Sequence, residues 1–183
     1  GKVAEKFDAV LTKKGAEKAA DFVNFCDAFG IPVLTLTNVK GYEATMCSEK
    51  GIAKAAAKLT YAFANATVAK VNVIIGKAYG TAYVAMNSKA IGADITMAWP
   101  NAEIGTMDAK LAAKIMYEGQ GGDVINEKAA EYEALQLSAT SAARRGYVDQ
   151  IVEAADTRKY VIGAFEMLFT KSEDRPFKKH GTV

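Results

Sequence analysis

Histidine is almost missing from this 183-residue chain: the one present, His180, stands three residues from the end. That argues against a histidine-based catalytic triad and more strongly against a zinc site, and it leaves His180 reading as a tail residue. Cysteine is scarce too. Cys26 and Cys47 form neither a metal-ligand spacing nor a disulfide framework, so a reducing, cytoplasmic setting is expected and no metal. No apolar run approaches the roughly 20 residues needed to cross a bilayer, and the N-terminus lacks a signal-like apolar core. An excess of one charge is also missing. The 23 basic and 21 acidic residues are interleaved, which gives no electrostatic case for a nucleic-acid partner. There is no G-x-S-x-G elbow and no G-x-x-x-x-G-K-[ST] phosphate loop, and "GKAYGTAY" is a poor match to G-x-G-x-x-G. An initiator methionine is absent as well, so the chain reads as processed or as part of something longer.

What is there suits one globular domain with a real core: 50% hydrophobic and 24% charged residues. Residues 13–29 carry Ala16, Ala19, Ala20, Val23 and Cys26 at helical spacing, with Gly30 as a stop. "IPVLTLTNV" (31–39) reads as a strand, 40–51 as a loop and 52–66 as a second helix. A strand over 71–75 leads into a helix over 82–91. "ADITMAWP" and "AEIGTM" give short strands around Pro100. Helices follow over 108–117 and 126–137, with Gly119, Gly121 and Gly122 as a loop between them. Residues 147–153 read as the last strand and 156–169 as a closing helix capped by Asp156. This alternation implies an α/β layered domain with buried strands. The tail "KSEDRPFKKHGTV" is expected on the surface.

Candidate chemistry is sparse. Asp94, Glu103 and Asp108 are close in sequence and can be read as an acid–base group or, more simply, as caps and solvated turns. The junction "VNVIIGKAYGTAYVAM" (71–86) offers backbone chemistry instead. A helix starting near Thr81 leaves its first N–H groups unpaired, and Gly80 and Ala82 add little bulk in front of them. This is either an oxyanion hole or the close packing of a strand on a helix.

Long blocks of the chain resemble the C-terminal half of biotin-dependent acyl-CoA carboxyltransferases. They are "KAADFVNFCDAFGIPVLTLTNVKGY", "GIAKAAAKLTYAFANATVAKVNVIIGKAYGTAYVAMNSKAIGADITMAWPNAEI", "AARRGYVDQIVEAADTRKYV" and "EDRPFKKHG". That family includes the β-type subunits of propionyl-CoA and acetyl-CoA carboxylases and the α subunits of methylmalonyl-CoA and glutaconyl-CoA decarboxylases. The resemblance implies a crotonase-like fold, a spiral of ββα units, with residues 1–183 as the C-terminal, biotin-side domain. The cofactor would be biotin, arriving as carboxybiotin on a carrier protein, with an acyl-CoA as substrate. Expected partners are the carrier protein, an N-terminal carboxyltransferase domain that completes the site, a biotin carboxylase or membrane decarboxylase subunit, and further copies of the chain.

The resemblance gives the backbone amides of Thr81 and Ala82, beside Gly80, the oxyanion-hole role. It makes Val84 a selector of acyl-chain size, unless Val84 is simply core, and adds Tyr79 and Gly41 on the substrate side. Departures from the family pattern stand at several places. Thr81 replaces a glycine; Val39-Lys40-Gly41-Tyr42 lacks a proline; Lys54-Ala55-Ala56-Ala57-Lys58 lacks a histidine. The segment Met107-Asp108-Ala109-Lys110-Leu111-Ala112-Ala113 lacks two glycines and a proline, so Asp108 is expected to cap a regular helix. Two rival readings are a stand-alone crotonase-type hydratase or isomerase and a non-catalytic assembly domain with a remodelled biotin site. Tyr79, Tyr83, Phe63 and Met86 are expected either to form an exposed apolar patch or to turn inward as core.

Overall fold

The computed structural model describes residues 9–176. A short strand β1 (Val10–Leu11) opens it, followed by helix α1 (Lys13–Ala28). Thr12 caps α1, its hydroxyl accepting from the Gly15 N–H at 3.0 Å. Ala16, Ala20, Val23 and Cys26 form its buried stripe. Strand β2 (Val33–Val39) then leads through β3 (Gly41–Tyr42) and a four-residue helix α2 (Met46–Glu49) to α3 (Ile52–Asn65). Helix α3 lays Ala55, Leu59, Ala62 and Phe63 against the alanine stripe of α1. Small residues on both helices let the pair approach closely over β2.

Strand β4 (Lys70–Tyr79) is the spine of a five-stranded parallel sheet. Its first half lies between β2 and β5 (Ile95–Ala98), with Val73 opposite Leu36 on one side and Met97 on the other. Its last three residues pair instead with β6 (Glu103–Gly105). The change of partner has a visible cause. The β2–β4 register slips between Thr37 and Val39, and the Lys77 N–H donates to the Asn38 side-chain oxygen at 3.0 Å rather than to the ladder. The sequence predicts a strand over 71–75; the register slip beside Gly76 and Lys77 is a bulge, and the strand runs from Lys70 to Tyr79.

Helix α4 (Gly80–Ala85) follows without a linker and is shorter than the 82–91 expectation. Asn87, at φ +57, ends it, and a single 3₁₀ turn (Lys89–Ile91) completes the segment. The Asn87 amide donates to Thr35 Oγ1 at 3.2 Å and to the Val71 carbonyl at 3.4 Å. Beside it, Thr37 Oγ1 donates to Asn72 Oδ1 at 2.7 Å. These buried bonds fasten the exit of α4 to the centre of the sheet.

Helix α5 (Ala109–Met116) is capped by Asp108, as the sequence predicts, its carboxylate accepting from Lys110 and Leu111 N–H. Helix α6 (Gly122–Tyr132) starts four residues before the expected 126 and widens into a π-helical turn, Glu133–Leu137. Helix α7 (Ala139–Arg144), absent from the sequence reading, and strand β7 (Gln150–Ile151) come next. The closing helix α8 (Thr157–Met167) covers Val71, Val73 and Met97 on the sheet face opposite α4. Asp156 does not cap it: that residue sits in a 3₁₀ turn (Ala154–Asp156) and its side chain makes no capping bond.

The tail is also not wholly on the surface. The Lys171 side chain is largely covered, pairing with Asp94 at 2.9 Å and donating to the Val68 carbonyl at 3.1 Å. His180 lies outside the described residues. Among the described residues no helix is long and apolar enough to cross a membrane.

Candidate functional site

The fold places the strand-to-helix junction at the wall of a cleft of about 340 Å³. Helix α4 contributes Gly80, Thr81, Tyr83 and Val84, and the end of β6 contributes Ile104, Gly105 and Thr106. Ala142 of α7 and, beyond that helix, Arg145 and Tyr147 close the third side. The walls are mainly apolar with a few polar tips, which suits a small organic group. A second cleft of about 330 Å³, around Asn38, Lys40, Lys77, Asn101 and Glu103, is mostly polar and contains none of Gly80, Thr81, Ala82 or Val84.

Gly80 is there for its backbone. It adopts φ +59, and a Cβ would come 3.1 Å from the Thr106 carbonyl oxygen. Thr81 has no such demand: Asn87 is the only non-glycine at positive φ among the described residues, so the threonine fits without backbone strain. Its side chain is exposed at the cleft, while its carbonyl accepts from the Tyr42 hydroxyl at 3.3 Å. Burial raises the Tyr42 phenol, and the bond to Thr81 partly offsets this. Helix geometry leaves the N–H groups of Gly80, Thr81 and Ala82 without intrahelical acceptors. The Ala82 methyl points into the core beside Ile74, Ala78 and Ala98.

The remaining sequence-predicted residues divide. Val84 is half-buried and lines the cleft one turn beyond the junction. Tyr79 does not line it. It is 3% exposed, packs on Ala113 and Leu137, and its hydroxyl donates to the Glu103 carboxylate. Burial first, and Glu103 second, hold that phenol neutral. Gly41 pairs with Val10 in the small β1–β3 sheet and lies outside the cleft lining; its neighbour Tyr42 makes the link to Thr81.

The three acidic residues each have structural work. Asp94 binds the Lys70 N–H and Lys171, Glu103 binds Tyr79 and Lys77, and Asp108 caps α5. Asp94 also sits at the opposite end of β4 from the other two, so they form no common acid–base group. Tyr79, Tyr83 and Phe63 are buried and Met86 is half-buried, so the inward alternative describes them and they form no exposed patch. Among the described residues, no three His, Cys, Asp or Glu side chains gather as a metal would need.

Sequence reasoning missed Thr106, Arg145 and Tyr147. Arg145 and Tyr147 stand in the block "AARRGYVDQ", but nothing local in that block ties them to residues 80–84. Arg145 donates to the Gln136 side-chain oxygen and makes no ion pair among the described residues. Tyr83 is pushed up to about 12 by burial, with Tyr147 nearby adding to the shift.

Comparison with known proteins gives this arrangement its family. A carboxyl transferase domain model matches residues 3–183. The propionyl-CoA carboxylase beta chain of Saccharopolyspora erythraea is 48% identical over 179 residues, covering 92% of this chain and 33% of that protein. The methylmalonyl-CoA decarboxylase subunit alpha of Propionigenium modestum is 42% identical over 174 residues, with 91% and 34% covered. The crystal structure of transcarboxylase 12S, described as a hexamer assembly with methylmalonyl-coenzyme A bound, superposes with a TM-score of 0.91 at 42% identity. It covers 94% of this chain and 34% of its own. The chain thus spans about a third of the length of the relatives it matches. With its parallel α/β layers and this match end to end, the chain has the crotonase-like fold and belongs to the carboxyl transferase domain family.

Proposed function

We propose that this chain is the biotin-side half of a carboxyltransferase active site, moving CO2 between carboxybiotin on a carrier protein and an acyl-CoA. The observation that carries the reading is the apolar cleft into which the start of α4 opens, at Gly80 and Thr81. The cleft fits the group: its apolar walls suit a fused ring, and polar tips at Thr81, Thr106 and Tyr147 suit a ureido head. When bound, carboxybiotin supplies the CO2 and, as it does so, takes up negative charge on its ureido oxygen.

This chain's contribution is electrostatic. The amides of Thr81 and Ala82 lie at a fixed helix start, ready for an oxyanion without reorganisation. Gly80 keeps the approach to them open, and Val84 sets the depth of the cleft. No nucleophile or metal is required of the protein in this reading. The N-terminal carboxyltransferase domain supplies the acyl-CoA side, and a biotin carboxylase or membrane decarboxylase subunit exchanges the carrier. A homo-oligomer and a cytoplasmic setting belong to the same reading, supported by the hexameric neighbour and by two unpaired cysteines.

The test is carboxyl transfer from malonyl-CoA to biocytin by the assembled enzyme. Thr81→Gly keeps the amide and retains activity. Thr81→Pro deletes the donor and loses about 10²–10³ in rate. Equal activity of the two, with matching thermal melts, removes the amide from the mechanism.

A further inference from the structure

Arg145 has no role in the chemistry described so far, yet it carries the only formal charge among the residues lining the cleft. Its side chain is exposed, and among the described residues its one side-chain hydrogen-bond partner, Gln136, is neutral. A cation held by a neutral acceptor keeps its charge, and most of its five donors remain free. A purely structural reading makes it the cation at the C-terminal end of α7, where helix carbonyls favour positive charge. Arg144, in the last turn, already meets that need, and Arg145 reaches away from α7 to Gln136 in the preceding π-helical turn.

Building on the carboxyltransferase reading, we propose that Arg145 binds the carboxylate that is in transit through this cleft. That carboxylate is present at both ends of the transfer: on the ureido nitrogen of biotin before it, and on the acyl α-carbon after it. Between the two it is CO2, formed as the C–N bond breaks with its electron pair left on the ureido group. The C–C bond then forms with the pair of the α-carbon, whose proton has gone to the biotin. CO2 is neutral, so a cation at this wall favours the two carboxylated ends over the middle. Arg145 therefore contributes to binding of the carboxylated ligands and leaves the chemical step unaided.

The experiment is equilibrium binding to the assembled carboxyltransferase without an acceptor, so that no turnover occurs. One arm compares malonyl-CoA with acetyl-CoA; the other compares biotin methyl ester with its analogue carboxymethylated at the ureido nitrogen. In Arg145→Gln the carboxylated member of a pair weakens by about 10- to 100-fold while the neutral member stays within about twofold. Arg145→Lys recovers most of the loss. Gln136→Glu separates recognition from support. A carboxylate partner strengthens a structural bond to Arg145, but it neutralises the cation and weakens the carboxylated ligand as Arg145→Gln does.

Weakening in both arms is the expected result, and a response in the thioester arm alone or the biotin arm alone overturns the in-transit role by confining the cation to one end. Equal weakening of charged and neutral ligands, or no weakening in a variant with unchanged melting, overturns the proposal. A wild-type enzyme that transfers no carboxyl group overturns the parent reading instead, and is distinguished by failing before any substitution is made.

Discussion

At position 80 the backbone leaves almost no choice of residue. Any side chain must hold φ +59 and push against the Thr106 carbonyl, 3.1 Å from its Cβ. Gly80→Ala is expected to cost about 1–2 kcal/mol in urea denaturation and to displace the Thr106 wall of the cleft. One residue on, Thr81 tolerates substitution to glycine because its own φ is ordinary. Tyr83 is sensitive to pH. Its phenol ionises near 10 in an unfolded chain and at about 12 in the fold, because burial disfavours the charged form. Its contribution to stability is therefore complete below about pH 10 and is lost as pH rises through about 12. Melting temperature should hold from pH 7 to 9 and fall above 10, and Tyr83→Phe should remove part of that fall. A decline of the same steepness in Tyr83→Phe would assign it elsewhere. The place of residues 80 and 81 on the cleft was legible in sequence because strand, small residue and helix follow one another in one stretch, whereas Val84 was reached only through the family resemblance. Arg145 and Thr106 were not, since only tertiary packing brings α7 and β6 to that stretch.

The elements show where periodicity works and where it fails. Helices α1, α3 and α5 were legible nearly to the residue because each has one buried stripe and a clear start or stop. Strand β4 was cut short because its bulge is stabilised from another strand, by Asn38, and no local pattern announces that. Helix α7 went unread since its six residues bury only Ala139 and Ala142. The start of α5 is where this chain departs most from the glycine-rich loop that the family resemblance implies. Asp108 holds it with bonds of 3.0 Å and 3.4 Å to the N–H groups of Lys110 and Leu111. Asp108→Ala should cost about 1 kcal/mol by chemical denaturation, and Asp108→Asn or Ser should cost much less. An Ala variant as stable as the parent would mean that packing of Ala109, Ala112 and Ala113 alone sets this helix start.

For the molecule as a whole, the question is what its uncovered apolar faces meet. Phe22, Phe25 and Phe29 stand 56–68% exposed on the side of α1 away from α3, and Leu34 and Leu36 are open on β2 at the edge of the sheet. Scattered apolar residues on a surface are normal, but three phenylalanines at helical spacing are costly to leave in water. Leu34 and Leu36, alternating with the Val33 that packs under α1, open a separate apolar face at the sheet edge. The half-site reading predicts that this chain self-associates and transfers no carboxyl group alone, since the acyl-CoA side is missing. Sedimentation equilibrium across a wide concentration range should show a mass that rises with concentration. The triple variant Phe22→Gln, Phe25→Gln, Phe29→Gln should shift it toward monomer without lowering the melting temperature, because none of the three rings belongs to the buried α1–α3 core. Association unchanged in that variant would move the interface to another face, such as Leu111, Ile115 and Met116 on α5. A strict monomer that turns over acyl-CoA unaided would reject the half-site and restore the stand-alone crotonase-type enzyme. In that enzyme the cleft around Gly80 and Arg145 would have to be complete without any second domain.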